Sequence, residues 1–580
     1  MMNSIRIDSN VPMEMRDGVI LRAEIYRPIN IERCPAILFR SPYNKTISAA
    51  RSSSLLNIIE AADAGYAIVI QDIRGRFASD GEWKRENMLT VESIDGYDSV
   101  EWIATQSWCD GNVGTAGSSY LAGLQWILGM EDPPHLKAMM PTFGGLETIN
   151  RGMQPPVASG TISLATALSA IPSNSVDLAN KLEQSGQDVS EMRRVIQWAF
   201  DNPNDLTNYL PLKDIPFTQF PSINAMWKSR LDPVISEREQ EVRQSFHKIK
   251  VPCFHVCGWY DILEHTDFDS FVKLMTLGGS PAAQKGQHIV AGPWAHVELN
   301  DTLGDLNFGL TASGKGGQFS KESLLFFDKY LRGADIEIPA VKYFLMSLNQ
   351  WRAADSWPLP NTQWQRFYLH SRGSANTAGG DGFLSRDEPG NEQADMFMYN
   401  PLLPVPSTGG RISGVGLVPG PIEQSHVEKR HDVLCYTSND LKTDLEITGP
   451  LNIHVFASTS AKDTDFTARL VDVYPDGRAY NIVEGIKRAR FIESITHPKP
   501  VIPGEVYEYI IQMGNSSQLF RKGHRIRVDI SSSNFPMFDR NMNTGNPVGE
   551  DATGIIAEQT IYHQSDHASY IDLPVIPANS

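Results

Sequence analysis

NVGTAGSSYLAG, residues 112–123, passes from an apolar strand through a run of small residues into a helix. Strand, sharp turn and helix together present a nucleophile. The nucleophile sits in a strained turn, so its neighbours must be small, and the following helix N-terminus favours developing negative charge. Two serines compete for the place. Counted from Ser119, Gly117 lies two before and Leu121 two after, so the strict G-x-S-x-G pattern fails at its last position. Counted from Ser118, Ala116 and Tyr120 occupy those places and both fail. From this stretch alone, a small-residue turn chosen for packing stays an open alternative.

The flanking sequence sets the fold class. PAILFR (35–40), YAIVIQD (66–72) and LKAMMPT (136–142) read as strands like 112–117, and ESIDGYDSVEWIATQ (92–106) reads as an amphipathic helix. Continuous apolar strands alternating with helices predict an α/β layer with a largely parallel sheet covered on both faces. From about 146 to 246 the pattern turns to helix and loop. SEMRRVIQWAF (190–200) carries a Ser cap and one apolar face, Met192, Val195, Ile196 and Ala199, and SEREQEVRQSFHKI (236–249) reads the same way. Strand character returns at VPCFHVCGW (251–259) and QHIVAGPW (287–294), and ESLLFFDKYLRG (322–333) is a closing helix. Beyond about 355, a Gly/Pro/Ser/Asp-rich stretch leads into short alternating segments such as LNIHVFAS (451–458), FTARLVDVYP (466–475) and IRVDISSS (526–533), the pattern of a β-sandwich or jelly roll. The expected organisation is an α/β core over 1–145 and 247–354, a helical cap insertion at 146–246, and a C-terminal β domain over 355–580.

Bulk properties exclude several classes. With 580 residues, two or three domains are expected. A net charge of −17 argues against nucleic acid or an anionic membrane surface as partner. No apolar run is long enough for a transmembrane helix. The N-terminal stretch lacks the apolar segment of a secretion signal. Cys34, Cys109, Cys253, Cys257 and Cys435 are odd in number and scattered, which suits reduced thiols in a cytoplasm. Cys253 and Cys257 lie in a buried-strand pattern with no second ligand pair, so a zinc site is not expected. HExxH and P-loop motifs are absent, and the glycines are too sparse for dinucleotide binding.

In a doubly wound hydrolase the order is Ser, then Asp or Glu, then His, with the later two on loops at strand ends. Asp261 directly follows the strand 251–260, and His296 directly follows 287–294. Both stand at carboxyl ends of predicted strands, where open α/β sheets place their sites. Either alone has a bland reading, a solvated cap or a structural histidine; the right types in the right order point to a serine hydrolase. Tyr43, in RSPYNKT (40–46), can present a phenol as an oxyanion donor. DIRGRFASDG (72–81) reads as an architectural turn around Arg74 and Gly75.

These segments carry a resemblance. VPMEMRDGVILRAEIYRP, SPYNK, DIRGRFASDGEW, SWCDGNVGTAGSSYLAG, GWYDI and GPWAH, with the C-terminal ITGPLNIHVFASTSAKDTDFTARLVDVYPDGRAYNI and GHRIRVDISSSNFPMFDR, resemble the cocaine-esterase and X-Pro dipeptidyl-peptidase family of serine hydrolases. The likeness is weakest across 146–246. It implies an α/β-hydrolase core and a jelly-roll domain. The family's elbow reads G-x-S-Y-x-G, which aligns Ser119 with the nucleophile and puts Ala122 where the last glycine stands. The resemblance further implies Asp261 and His296 as the other triad members, and the Tyr43 hydroxyl with the Tyr120 backbone N–H as oxyanion donors. No metal or organic cofactor is required.

Substrate choice is less determined. Related amino-ester hydrolases place acids two and three residues after the triad Asp; here these positions are Leu263 and Glu264. Glu147 and Glu264 could bind a substrate amine, though surface or structural roles are the simpler reading. An ester or amide of a small acyl compound is therefore expected. The alternatives are an acyltransferase with the same triad, or X-Pro dipeptidyl-peptidase or α-amino-ester hydrolase activity. A non-enzymatic reading makes the β domain a carbohydrate-binding module on a degenerate scaffold. The sequence leaves self-association into a homo-oligomer open.

Overall fold

Strands in the middle of a two-sided layer must be apolar on both faces, and several here are. The computed structural model of the chain describes residues 4–47, 55–83, 88–148, 159–315, 318–414 and 416–578. Ile5–Glu14 (β1), Ile20–Pro28 (β2), Cys34–Ser41 (β3), Ala67–Asp72 (β4), Cys109–Ser118 (β5), Leu136–Thr142 (β6), Cys253–Tyr260 (β7), Gln287–Ala295 (β8), Val341–Leu345 (β9) and Gln350–Ala354 (β10) form one ten-stranded sheet. Its order is β1-β2-β4-β3-β5-β6-β7-β8-β9-β10. From β4 to β9 every pairing is parallel; the edge strands pair antiparallel. β3, β4, β7 and β8 are buried along their whole length.

Alternate residues of one strand serve opposite cores. Ala36 and Leu38 of β3 pack on one side of the sheet, Ile37 and Phe39 on the other, as the two-residue repeat of a strand dictates. Ile58–Asp63 (α1), Ser93–Ala104 (α2) and Tyr120–Met130 (α3) connect the first parallel strands. The helical segment holds Leu164–Gln184 (α4), Ser190–Asp201 (α5), Pro203–Asn208 (α6), Pro221–Leu231 (α7) and Glu237–Arg243 (α8). Glu264–Leu277 (α9) and Gln318–Arg332 (α10) complete the layers.

Two local expectations are corrected. α5 begins at Ser190 and buries the expected face, Met192, Val195, Ile196 and Ala199, but Val189 holds the cap position without a side-chain bond. Asp188 Oδ1 takes the Ser190 N–H at 2.9 Å, so the preceding acid does the serine's work. α8 has the capping box of Ser236 and Glu239, yet it stops at Arg243, and Phe246–Lys248 is a separate 3₁₀ turn. Phe246 is drawn into the core beneath the sheet, and burial of that ring outweighs continuation of a short helix.

The C-terminal β domain is built around Leu445–Thr459, which pairs antiparallel with Tyr507–Phe520, Ala557–Gln564 and Tyr570–Ile576. One apolar cluster runs from Cys257 and Trp259 of β7 through Tyr343 to Ile453 and Ile511 of this domain. At the junction, Trp259 stacks on Phe268 with ring centroids 5.7 Å apart, and Trp357 lies 4.6 Å from Phe268. α4 starts on the β domain as well: the Leu164 and Ala165 N–H groups donate to Met537 O and Pro536 O at 3.1 and 3.0 Å. Among the described residues no helix is long and apolar enough to cross a membrane, and all five cysteines are buried and unpaired.

Candidate active site

Ser119 stands between β5 and α3 at φ +61° and ψ −118°, a backbone region that non-glycine residues occupy only under constraint. Its N–H donates to Thr142 O at 2.9 Å, and its carbonyl accepts from Ala122 N–H at 2.9 Å. The turn is thus held at both ends. Gly117 makes room for it: at φ +144° an added Cβ would lie 2.5 Å from Leu121 Cβ. Ala122, at the position of the family's glycine, is fully buried.

The neighbouring serines point apart. Ser118 Oγ bonds Thr142 Oγ1 at 2.7 Å, across to β6. Ser119 Oγ lies 2.9 Å from His296 Nε2. His296 Nδ1 faces Asp261 Oδ1 and Oδ2 at 3.0 and 3.2 Å. The structure therefore brings Ser119, His296 and Asp261 into one hydrogen-bonded chain at the carboxyl ends of β5, β8 and β7. Asp261 is fully buried, and its Oδ1 also accepts the Leu263 N–H at 2.7 Å. The Leu263 bond holds the carboxylate in place against the imidazole. The ring of Phe143 closes the other side of His296, edge-on at 6.0 Å.

Tyr43 lies on the turn after β3, its ring edge-on to that of Tyr120 at 6.3 Å. Tyr120 is the first residue of α3, so its amide belongs to the positive end of the helix.

A polar stripe on α9 supports the site from behind. Thr266, Asp267 and Ser270 accept the successive N–H groups of Gly145, Gly144 and Leu146 at 2.9, 3.1 and 2.8 Å. They hold the loop that carries Phe143 and Glu147. Burial, reinforced by Asp261, pushes the Asp267 carboxyl well above the usual range. The signal for this stripe is present in EHTDFDSF (264–271): polar residues at 266, 267 and 270 recur at helical spacing.

The chain aligns with the cocaine esterase of Rhodococcus sp. (strain MB1 Bresler) at 34% identity over 584 residues, 98% of each chain. Residues 17–298 match the model of the X-Pro dipeptidyl-peptidase (S15 family), and 336–572 match the X-Pro dipeptidyl-peptidase C-terminal non-catalytic domain. The protein belongs to the cocaine-esterase and X-Pro dipeptidyl-peptidase family. It is accordingly a hydrolase with an α/β-hydrolase core and a C-terminal jelly roll. Two solved structures share this fold over the full length. One is an aminopeptidase from a marine sediment archaeon, Thaumarchaeota archaeon, with TM-score 0.79, 24% identity, and 100% of this chain on 97% of that one. The other is an α-amino acid ester hydrolase, with TM-score 0.75, 24% identity, and coverage of 99% and 97%.

The residues considered for amine binding have partners elsewhere in the fold. Glu264 is fully buried; its Oε2 accepts from Asn515 N–H at 2.9 Å and Arg411 Nη1 at 3.1 Å, both from the jelly roll. Burial outweighs Arg411 and pushes its carboxyl up to about 7. Leu263 is buried beside it. Glu147 is half-buried, 3.7 Å from Lys273 Nζ. Burial, followed by the nearby Asp269 carboxylate, raises it. Arg411 escaped the sequence reading because it sits in a loop-rich stretch with no periodicity and acts across 147 residues.

Proposed function

We propose that the protein cleaves a carboxylic ester or amide of a small acyl compound through an acyl-enzyme on Ser119. The observation that carries this reading is the chain from Ser119 Oγ to His296 Nε2 (2.9 Å) and from His296 Nδ1 to Asp261 Oδ1 (3.0 Å). As Oγ attacks the carbonyl carbon, His296 takes its proton. Asp261 holds Nδ1–H toward itself and stabilises the imidazolium. The Tyr43 hydroxyl and the Tyr120 N–H meet the oxyanion; one such donor is worth roughly 10²–10³ in kcat. His296 then protonates the departing alcohol or amine as the tetrahedral intermediate collapses. Water attacks the acyl-enzyme by the same route and releases the acid and Ser119. Likeness at 34% to an enzyme named an esterase supports ester cleavage. The engagement of Glu264 by Arg411 and Asn515 supports an acyl group without an amine to be recognised there.

Hydrolysis of short-chain p-nitrophenyl esters tests the assignment. Ser119→Ala is expected to lose on the order of 10⁶ in kcat, and Ser118→Ala to keep activity within a few-fold. An inactive Ser118→Ala beside an active Ser119→Ala would sink the reading. Release of a product joining the acyl group to an added alcohol, in place of the free acid, would identify an acyltransferase.

A further inference from the structure

Several contacts hold the turn that carries Tyr43, and one of them reaches it from the 72–81 turn. Tyr43 N–H donates to Ser41 Oγ at 3.0 Å, and Asp72 Oδ1, at the end of β4, takes the Lys45 N–H at 2.6 Å. Between them, Arg76 Nε–H donates to the carbonyl of Pro42, the residue before Tyr43, at 3.1 Å. Arg76 is only 4% exposed. Its guanidinium carbon lies 5.2 and 5.4 Å from the ring centres of Trp83 and Phe77. It is too enclosed to serve as a substrate contact, and a buried cation is unfavourable unless paired.

The pairing comes from the cap. Asp177 Oδ2 of α4 lies 3.2 Å from Arg76 Nε, and both side chains are buried. One helical turn on, Lys181 Nζ donates to Gly75 O. Residues 177 and 181 share a face of α4, so that face grips the 75–76 turn twice. The far end of α4 is tied to the jelly roll through Met537 O, Pro536 O and the Thr166 hydroxyl bond to Ser413 O at 2.7 Å. α4 is therefore a strut fixed at one end to the jelly roll and at the other to the turn beside Tyr43.

We propose that Arg76 is a positioning residue: through Pro42 O it sets the Tyr43 hydroxyl, and through Asp177 it makes that setting depend on the docked cap. This rests on the oxyanion role of Tyr43 proposed above. An oxyanion donor acts only when placed within tenths of an ångström of the developing charge. A side chain that merely fills the Arg76 space would leave the Pro42 carbonyl unpaired and the turn loose. The effect falls on the transition state, hence on kcat, with KM little changed.

The test is a double-mutant cycle on p-nitrophenyl ester hydrolysis, with melting temperatures recorded alongside. Tyr43→Phe is expected to lower kcat about 10²-fold. Arg76→Met is expected to lower it about tenfold or more, with KM within about twofold. The double variant should fall no further than Tyr43→Phe alone, because the second change acts through the first. Losses that multiply would overturn the proposal, as would an Arg76→Met protein with wild-type kcat. If Arg76→Met does not fold, Asp177→Asn enters the same cycle and must show the same non-additivity. A fully active Tyr43→Phe would overturn the oxyanion reading and this proposal together. A damaged Tyr43→Phe with multiplying losses overturns this proposal alone.

Discussion

Gly117 decides whether Ser119 can stand where it does. Its φ is +144°, and a Cβ at this position would come within 2.5 Å of Leu121 Cβ, which leaves no room for any other residue. Gly117→Ala is expected to destabilise the fold by about 1–3 kcal/mol, the usual cost of a forced backbone conformation, and to lose most esterase activity. Urea unfolding and ester hydrolysis check both. Leu121→Ala should not rescue the variant, since the conflict is with Cβ, which alanine retains; rescue would refute the steric account. At this scale the sequence is ambiguous between Ser118 and Ser119. The two differ in what their hydroxyls meet, Thr142 or His296, and those partners lie 24 and 177 residues away.

Among the elements, α9 bears the heaviest constraint. Its first turn carries Glu264 into the jelly roll, and its next residues hold the loop 144–146. Glu264 is faced by Arg411, with Asp261 and Asp267 nearby and His265, itself held neutral by burial to a pKa of about 3, on the same turn. The Glu264 carboxyl has an ordinary value of 4.5 and stands at about 7 in the fold. The folded chain therefore binds this proton more tightly than the unfolded chain. Its contribution is most favourable below pH 4.5 and is lost as pH rises through 7. Glu264→Gln keeps an acceptor for Asn515 N–H and removes the titration. Its melting temperature should decline less between pH 5 and 8 than that of the wild type; parallel declines would refute the assignment. Helix α9 is legible in the sequence only in part. The 3.6-residue repeat locates a helix, but cannot say that its polar stripe is buried against the 144–146 loop while Glu264 reaches the jelly roll.

At the scale of the whole molecule, a buried ion cluster ties the cap to the jelly roll. Arg488 donates to Asp465 at 2.8 and 2.9 Å and to Asp539 at 2.9 Å, all but sealed from solvent. Asp539 Oδ1 also accepts the Ile162 N–H at 2.7 Å, just before α4. Removing Asp539 leaves Arg488 paired with Asp465 but takes the acceptor from the Ile162 N–H and from one guanidinium N–H, a cost of about 1–3 kcal/mol. Asp539→Ala should lower stability by that order in urea unfolding and expose the cap, residues 164–243, to limited proteolysis. Unchanged protection of the cap would argue that the apolar contact with Phe535 and the bonds of Leu164, Ala165 and Thr166 to the jelly roll hold it without the ion cluster.

The layer types follow from residue patterning, because a strand covered on both faces must be apolar throughout and an amphipathic helix must repeat near every 3.6 residues. Residue type, order and place at strand ends also single out Asp261 and His296, whereas the choice of Ser119 over Ser118 comes from the resemblance to the family's G-x-S-Y-x-G elbow. Long-range packing is what brings Ser119, Asp261 and His296 together, turns Ser118 to Thr142, and buries Glu264 against Arg411. Contacts between residues 24 to 177 apart have no local periodicity to betray them. They exist because parallel strands align their carboxyl ends, and because the jelly roll packs its own side chains against the back of the site.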